Sequence, residues 1–249
     1  MTTIVLSAAM LLACVPVSAS VLTLDDNGTH DLNYAVTEDD VYVTNSTTVN
    51  LLTGGTIGGY FWPSGTSTVN VSGGSIGLLS CEINSTVNVS GGTIGDDLWV
   101  SEDSTVTVSG GTIGGDLEAG DDSTVTVSGG SIAGELYAGG NSEVTVSGGT
   151  IGDELRINSN STVTIFGTGF NFGYGVYADG DPLDLATLTG TLADGTAFDN
   201  DVYIYSTATV TLAAPATAVP EPSSIAMFGI GALGLFGYGR RRRHTSAAA

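Results

Sequence analysis

The chain has 249 residues and a formal net charge of −21 at pH 7. Its 37 glycines and its runs of serine, threonine and valine favour short strands and tight turns, which indicates an all-β protein. Four of its five basic residues lie at positions 240–243, so the rest of the chain is acidic and is expected to repel nucleic acid. No disulfide is expected in the mature chain, because Cys14 lies in a leader-like segment and leaves Cys81 alone.

Residues 1–19 have the features of an export signal. Residues 4–17 are mostly apolar, and Val17-Ser18-Ala19 fits cleavage by signal peptidase after Ala19. We therefore expect a signal helix that directs the chain to the Sec translocon and is then removed. A lipidated N-terminus at Cys14 is an alternative, because residues 11–14 approximate a lipobox.

Residues 20–46 are predicted to form an N-terminal cap for the region that follows. They carry a degenerate copy of its repeat, with residues 41–44 as a strand. A cap is expected because an open edge of stacked strands invites pairing with other chains.

Residues 47–169 repeat one segment, seen as Ser-Thr-Val-Thr-Val-Ser-Gly-Gly-Thr-Ile-Gly at 104–114, with a period near nineteen. Copies begin at Thr47, Ser67, Ser85, Ser104, Ser123, Ser142 and Ser161. Such regularity predicts a solenoid. Nineteen residues are too few for a unit that contains a helix, so we expect a single-stranded parallel β-helix with coils about 4.8 Å apart.

Aligned copies place apolar residues in five columns, which predict the core. Two valine columns, two residues apart, mark one inward strand face. An isoleucine column, a leucine column and a mixed column that includes Cys81 complete it. A Gly-Gly pair between the valine and isoleucine columns is expected to form a tight corner with positive φ.

A carboxylate column is predicted to face outward beside the leucine column, and its members are Asp97, Asp116, Glu135 and Glu154. Like charges at coil spacing repel, so the column should bind cations or have raised pKa values. We expect weak calcium binding here and no other cofactor. The simpler alternative is that the acidic charge only keeps an extracellular protein soluble.

Aromatic residues recur on the other side of the leucine column, at Trp62, Trp99 and Tyr137. They could form a stacking strip for a glycan such as an exopolysaccharide. Alternatively, they only cover the core beneath them.

Asparagine or aspartate precedes each strand, at Asn84, Asp103, Asp122, Asn141 and Asn160. These residue types favour tight turns, and stacked copies predict a ladder of hydrogen-bonded side-chain amides.

Catalysis is not expected, although β-helices often carry polysaccharide lyases and hydrolases. A lyase needs a basic residue beside its substrate, and the repeat region offers only Arg156, with His30 in the N-terminal cap. A hydrolase needs a carboxylate pair in a cleft, whereas these acids repeat uniformly.

Residues 170–212 depart from the period and are predicted to form a C-terminal cap, followed by a linker at 213–218. Residues 219–243 then have three ordered parts: Val219-Pro220-Glu221-Pro222, an apolar stretch at 225–239, and a basic cluster. The basic cluster comprises Arg240, Arg241, Arg242 and Arg243. By the positive-inside tendency it remains cytoplasmic with the tail at 244–249, while an apolar transmembrane helix crosses the inner membrane.

This three-part tail closely resembles the PEP-CTERM sorting signal, whose Pro-Glu-Pro core matches 220–222. The resemblance implies an exosortase as partner, with cleavage near the motif and delivery from the inner membrane to the cell surface or the extracellular matrix. An ordinary single-span anchor is the alternative. Together with the repeats, the tail favours a structural or adhesion protein of the surface or biofilm matrix; a glycan-binding module comes second, and a polysaccharide-degrading enzyme last.

Overall fold

The computed structural model describes residues 4–5, 21–36 and 40–215. Within them the chain is all-β and winds into about seven turns of a parallel β-solenoid with coils of roughly nineteen residues. The sequence prediction of a β-helix is therefore confirmed. Most of the predicted signal helix lies outside the described residues, and its part Ile4–Val5 forms a short strand beside Val21–Leu24. The end of the predicted linker, the transmembrane helix and the cytoplasmic tail also lie outside the described residues.

Each coil contributes strand segments to three rows, named here by their inward residues. The leucine row comprises β2 (Val21–Leu24), β5 (Asp40–Val43), β11 (Leu98–Val100), β13 (Leu117–Ala119), β15 (Leu136–Ala138), β17 (Leu155–Ile157) and β21 (Ala197–Ile204). The valine row includes β3 (Thr29–Leu32), β6 (Thr48–Leu51), β8 (Thr68–Val71) and β22 (Thr209–Ala213). β1 is the strand Ile4–Val5.

Several strands belong to more than one row because they pass through a corner without a break. Four strands run from the valine row into the isoleucine row: β10 (Thr86–Ile94), β12 (Thr105–Ile113), β14 (Thr124–Ile132) and β16 (Glu143–Ile151). A fifth strand, β18 (Thr162–Thr168), begins in the valine row and follows the same path. From the isoleucine row into the leucine row run β7 (Thr56–Pro63) and β9 (Ser75–Cys81), with the short β4 (Ala35–Val36) below them.

The aligned columns of the sequence lie directly over one another. Val87 pairs with Val106, which pairs with Val125, and the leucine row shows the same register. These aliphatic side chains are at most 3% exposed and form one continuous core, in which Cys81 is also fully buried. Ile151 is the exception among the predicted core positions, since it is only partly buried.

The Gly-Gly corner takes the predicted conformation. Gly111 has φ +83° and Gly130 has φ +85°. A Cβ on Gly111 would lie 2.9 Å from the backbone of Gly91 in the coil below, so the corner also needs the space that glycine leaves.

The N-terminal cap contributes a strand to each of the three rows. β2, β3 and β4 pair in parallel with the next coil, with Leu22 opposite Val41, His30 opposite Val49 and Val36 opposite Ile57. Its degenerate sequence therefore conceals a regular first turn.

The C-terminal cap returns to the solenoid register after an excursion. β21 pairs in parallel with β17 and β22 with β18, so Val210 lies over Val163. The excursion contributes β19 (Gly175–Ala178) and β20 (Ala186–Leu192), which pair antiparallel with β22 and β21. Because β19 covers the outer edge of β22, the last coil is protected from strand pairing with another chain.

Candidate functional site

The outward face of the leucine row carries two columns of side chains, one on each side of the buried leucines. The first column holds Asp40, Tyr60, Leu78, Asp97, Asp116, Glu135, Glu154 and Asp201. The second holds Tyr42, Trp62, Ser80, Trp99, Glu118, Tyr137, Arg156 and Tyr203. We call Asp40, Tyr60 and Leu78 of the first column together with Tyr42 to Trp99 of the second the aromatic half, and we call the rest of both columns, from Asp97 and Glu118 onward, the acidic half.

In the acidic half the predicted carboxylates do lie in one column. Asp97 Oδ1 accepts a hydrogen bond from the Asp116 backbone N–H at 2.9 Å, and Asp116 Oδ1 accepts one from Glu135 N–H at 2.8 Å. The carboxylates thus satisfy backbone donors of the following coil, a side-chain to backbone contact that repeat alignment does not reveal.

Arg156 supplies positive charge to the upper end of this column. Its guanidinium contacts Glu154 and lies 3.2 Å from Glu135 Oε2. Burial raises the pKa of Glu135; Arg156 opposes that rise, and Asp116, Glu154 and Glu118 add to it. Burial likewise raises the pKa of Glu118, with further contributions from Asp97 and Asp116.

A groove of about 650 Å³ is lined jointly by carboxylates of the acidic half and by residues of β20 and β21. Its lining includes Glu135, Asp153, Glu154, Asp199 and Asp201. Among the described residues, no three His, Cys, Asp or Glu side chains are placed to share a metal ion. Calcium binding along the carboxylate column stays a prediction, for which thermal unfolding with calcium and with a chelator is the test.

In the aromatic half three rings lie in contact. The ring centroids of Tyr60 and Trp62 are 5.1 Å apart with an interplanar angle of 11°, and those of Tyr42 and Trp62 are 4.8 Å apart. Burial raises the pKa of Tyr42, and the carboxylates of Asp40 and Glu82 raise it further.

The predicted strip of Trp62, Trp99 and Tyr137 does lie in one column, but polar residues interrupt it. Ser80 pairs with Trp99 on one side, and Glu118 separates Trp99 from Tyr137. The Trp99 side chain partly opposes the rise in the pKa of Glu118. The rings that contact Trp62 are those of Tyr42 and Tyr60. The sequence analysis singled out neither residue, although Tyr42 lies in the same column as Trp62.

The predicted amide ladder is present in part. Asn141 Nδ2 donates to Asp122 Oδ1 at 2.9 Å, and Asn160 Nδ2 donates to Asn141 Oδ1 at 3.1 Å. A second ladder runs along the valine row, where Asn88 donates to Asn70, Asn70 to Asn50 and Asn50 to Asp31.

Comparison with known families gives a match on the C-terminal tail. The model of the PEP-CTERM protein-sorting motif matches residues 218–243. The chain carries a PEP-CTERM sorting motif. No curated protein and no solved structure matches the chain.

The PEP-CTERM motif includes the residues predicted from sequence, from Val219 through the Pro-Glu-Pro core to the cluster at 240–243. It indicates an exported protein that is processed by an exosortase. The motif lies outside the described residues. In the described part of the chain we find no helix that could span a bilayer.

The column of serine and threonine that opens each repeat was missed as a structural feature. Its members are at most 1% exposed, and they are Thr47, Ser67, Ser85, Ser104, Ser123, Ser142 and Ser161. Ser85 Oγ donates to Ser104 Oγ at 3.2 Å, whereas the hydroxyls of Ser67, Ser123 and Ser142 have no partner among the described residues. Every repeat has serine or threonine at this position, and that regularity could have predicted a buried hydroxyl column.

Proposed function

We propose that this protein is a structural or adhesive component of the cell surface or of the extracellular matrix, delivered there by an exosortase. The observation that carries the proposal is the combination of a sorting motif with a solenoid whose core is continuous from coil to coil. Such a core gives each coil its stability through its neighbours, which suits a durable surface element.

The proposed role is not catalytic. Arg156 is engaged by Glu135 and Glu154, and His30 Nε2 lies 2.9 Å from Asp26 Oδ1. Within the described residues these are the basic side chains that a lyase could use, and they lie in different coils, on β3 and on β17. This supports a scaffold over a polysaccharide-degrading enzyme.

Cell fractionation tests the proposal. The wild-type protein should reach the surface or matrix fraction in cells with an exosortase and remain with the inner membrane in cells that lack it. Replacing Pro222→Ala in the motif should reproduce that retention. Pro182→Ala, an exposed proline in the described region, is the matched control and should leave delivery unchanged. Equal surface delivery with and without the exosortase would contradict the proposal.

A further inference from the structure

The aromatic half differs from an ordinary solvated strand face. Tyr60 is 42% exposed and Trp99 is 39% exposed, although both are large rings. Between them Leu78 and Ser80 are only 8% and 4% exposed, although they occupy outward positions. Side chains of neighbouring strands must therefore shield these two residues from solvent.

Covering the core does not explain these rings. In the acidic half the same column holds Glu118 and Arg156, yet Leu117 and Leu155 beneath them are 0% exposed. In the aromatic half Leu79 and Leu98 are equally buried. Because charged residues keep the core dry just as well, the exposed aromatic surface needs another reason.

Carbohydrate chemistry fits this surface. The C–H face of a pyranose ring packs against tyrosine and tryptophan rings, and its hydroxyl groups bond to polar groups at the rim. Asp40 Oδ1 accepts a hydrogen bond from the Tyr60 backbone N–H at 3.0 Å, and Glu82 Oε1 accepts one from the Ser80 hydroxyl at 3.3 Å, so carboxylate groups border the rings. The same carboxylates, within a protein of net charge −21, would repel a polymer of uronic acids.

We infer that the aromatic half, through Tyr42, Tyr60, Trp62 and Trp99, binds a neutral polysaccharide. The inference deepens the proposed adhesive role and relies on it only for an extracellular location. Its test uses purified full-length protein, so a failure of binding and a failure of delivery are observed in separate experiments.

Intrinsic fluorescence gives a direct readout, because both tryptophans of the chain, Trp62 and Trp99, lie in the aromatic half. The probes are soluble neutral glucan, galactan and mannan, with alginate as the uronic acid polymer. At least one neutral polysaccharide should shift the emission to shorter wavelength and protect it from acrylamide quenching. Alginate should bind about tenfold more weakly or not at all.

Substitutions then locate the site by affinity electrophoresis against the polysaccharide that binds. The double change Tyr60→Ala and Trp99→Ala should weaken binding about tenfold or more, because exposed aromatic rings supply the contact area. Tyr137→Ala, in the same column of the acidic half, is the matched control and should retain wild-type affinity. Circular dichroism and the thermal midpoint check that both variants fold.

Three results would overturn the inference. One is no binding to any of the three neutral polysaccharides. The others are alginate binding as tight as neutral binding, and equal affinity in wild type and the folded double variant. If the double variant fails to fold, Tyr60→Ala alone replaces it, since Tyr60 is the more exposed ring.

Discussion

The two halves of the outward face share one core but present different chemistry to solvent. In both, the leucine beneath is 0% exposed and stacks in register on its neighbours. Above it the aromatic half has rings in mutual contact, whereas the acidic half has carboxylates that bond to backbone N–H groups and to Arg156. In a solenoid, inward residues fix the fold and outward residues are free to vary coil by coil.

The largest expected effect tests whether the core is truly common to both halves. Leu98→Ala in the aromatic half and Leu136→Ala in the acidic half should each lower the free energy of unfolding by about 2–5 kcal/mol. Chemical denaturation measures both. The two losses should agree closely, and a core that mattered in only one half would give a large loss for one variant and little for the other.

The next effect concerns the corner that both halves use. Gly111→Ala should cost about 1–3 kcal/mol, because its φ is +83° and an added Cβ would meet the Gly91 backbone at 2.9 Å. Gly180→Ala is the control, since its φ is +81° and nothing lies within 4 Å of the added atom. If Gly180→Ala lowers the free energy of unfolding less than Gly111→Ala, the difference is the cost of the contact between coils. Equal losses would show that the positive φ alone accounts for the cost.

A smaller loss of stability is expected from the asparagine ladder of the valine row, which is present in the coils of the aromatic half and replaced by threonine in those of the acidic half. Asn70 donates to Asn50 at 2.9 Å and accepts from Asn88 at 3.0 Å. Asn70→Ala should lower the free energy of unfolding by about 0.5–1.5 kcal/mol in all, because water can replace part of what the two partly buried bonds contribute. Thr126→Ala, the equivalent column position in a coil of the acidic half, should cost less, as thermal unfolding can measure. A greater loss at Thr126 would show that the amide ladder contributes little.

The smallest effect depends on pH and concerns the excursion that ends the acidic half. Asp194 accepts from Gly149 N–H at 3.0 Å and from Thr196 N–H at 2.8 Å. Burial raises the pKa of Asp194, but these backbone bonds outweigh it and hold the pKa below the ordinary 3.8. A lowered carboxylate pKa adds stability above pH 3.8, and that stability is lost as the pH falls through the folded value.

Asp194→Asn should therefore lower the thermal midpoint at pH 7 and change it less at pH 3. Glu102→Gln, at an exposed turn, is the control and should change neither. If the Asp194→Asn variant has as large a loss of thermal midpoint at pH 3 as at pH 7, the ionised carboxylate is not the group that stabilises the excursion.

Periodicity predicted the core because it reports the direction in which a side chain points. The columns through Val106, Ile113 and Leu117, and the glycine corner between the first two, were readable for that reason. The contact between Asp116 Oδ1 and the Glu135 backbone was not readable, because it depends on the position of an N–H group in another coil.

Sequence analysis recognised the two terminal coils only in part and missed the ring cluster, for different reasons. The first coil has diverged from the repeat, and the excursion before β21 hides the return of the last coil to register. Tyr60 was missed because its column was followed only through its carboxylates, although Trp62, two residues on, was placed in the correct column.

The excursion that carries β19 and β20 has a consequence for how such a molecule can change over generations. After it, the chain resumes its place over the preceding coil, with Ile204 above Ile157. Extra segments can therefore be added at a corner while the stacked layers stay in place. Gene duplication of one repeat would lengthen the molecule, and insertion at a corner would decorate it, so size and surface can evolve independently.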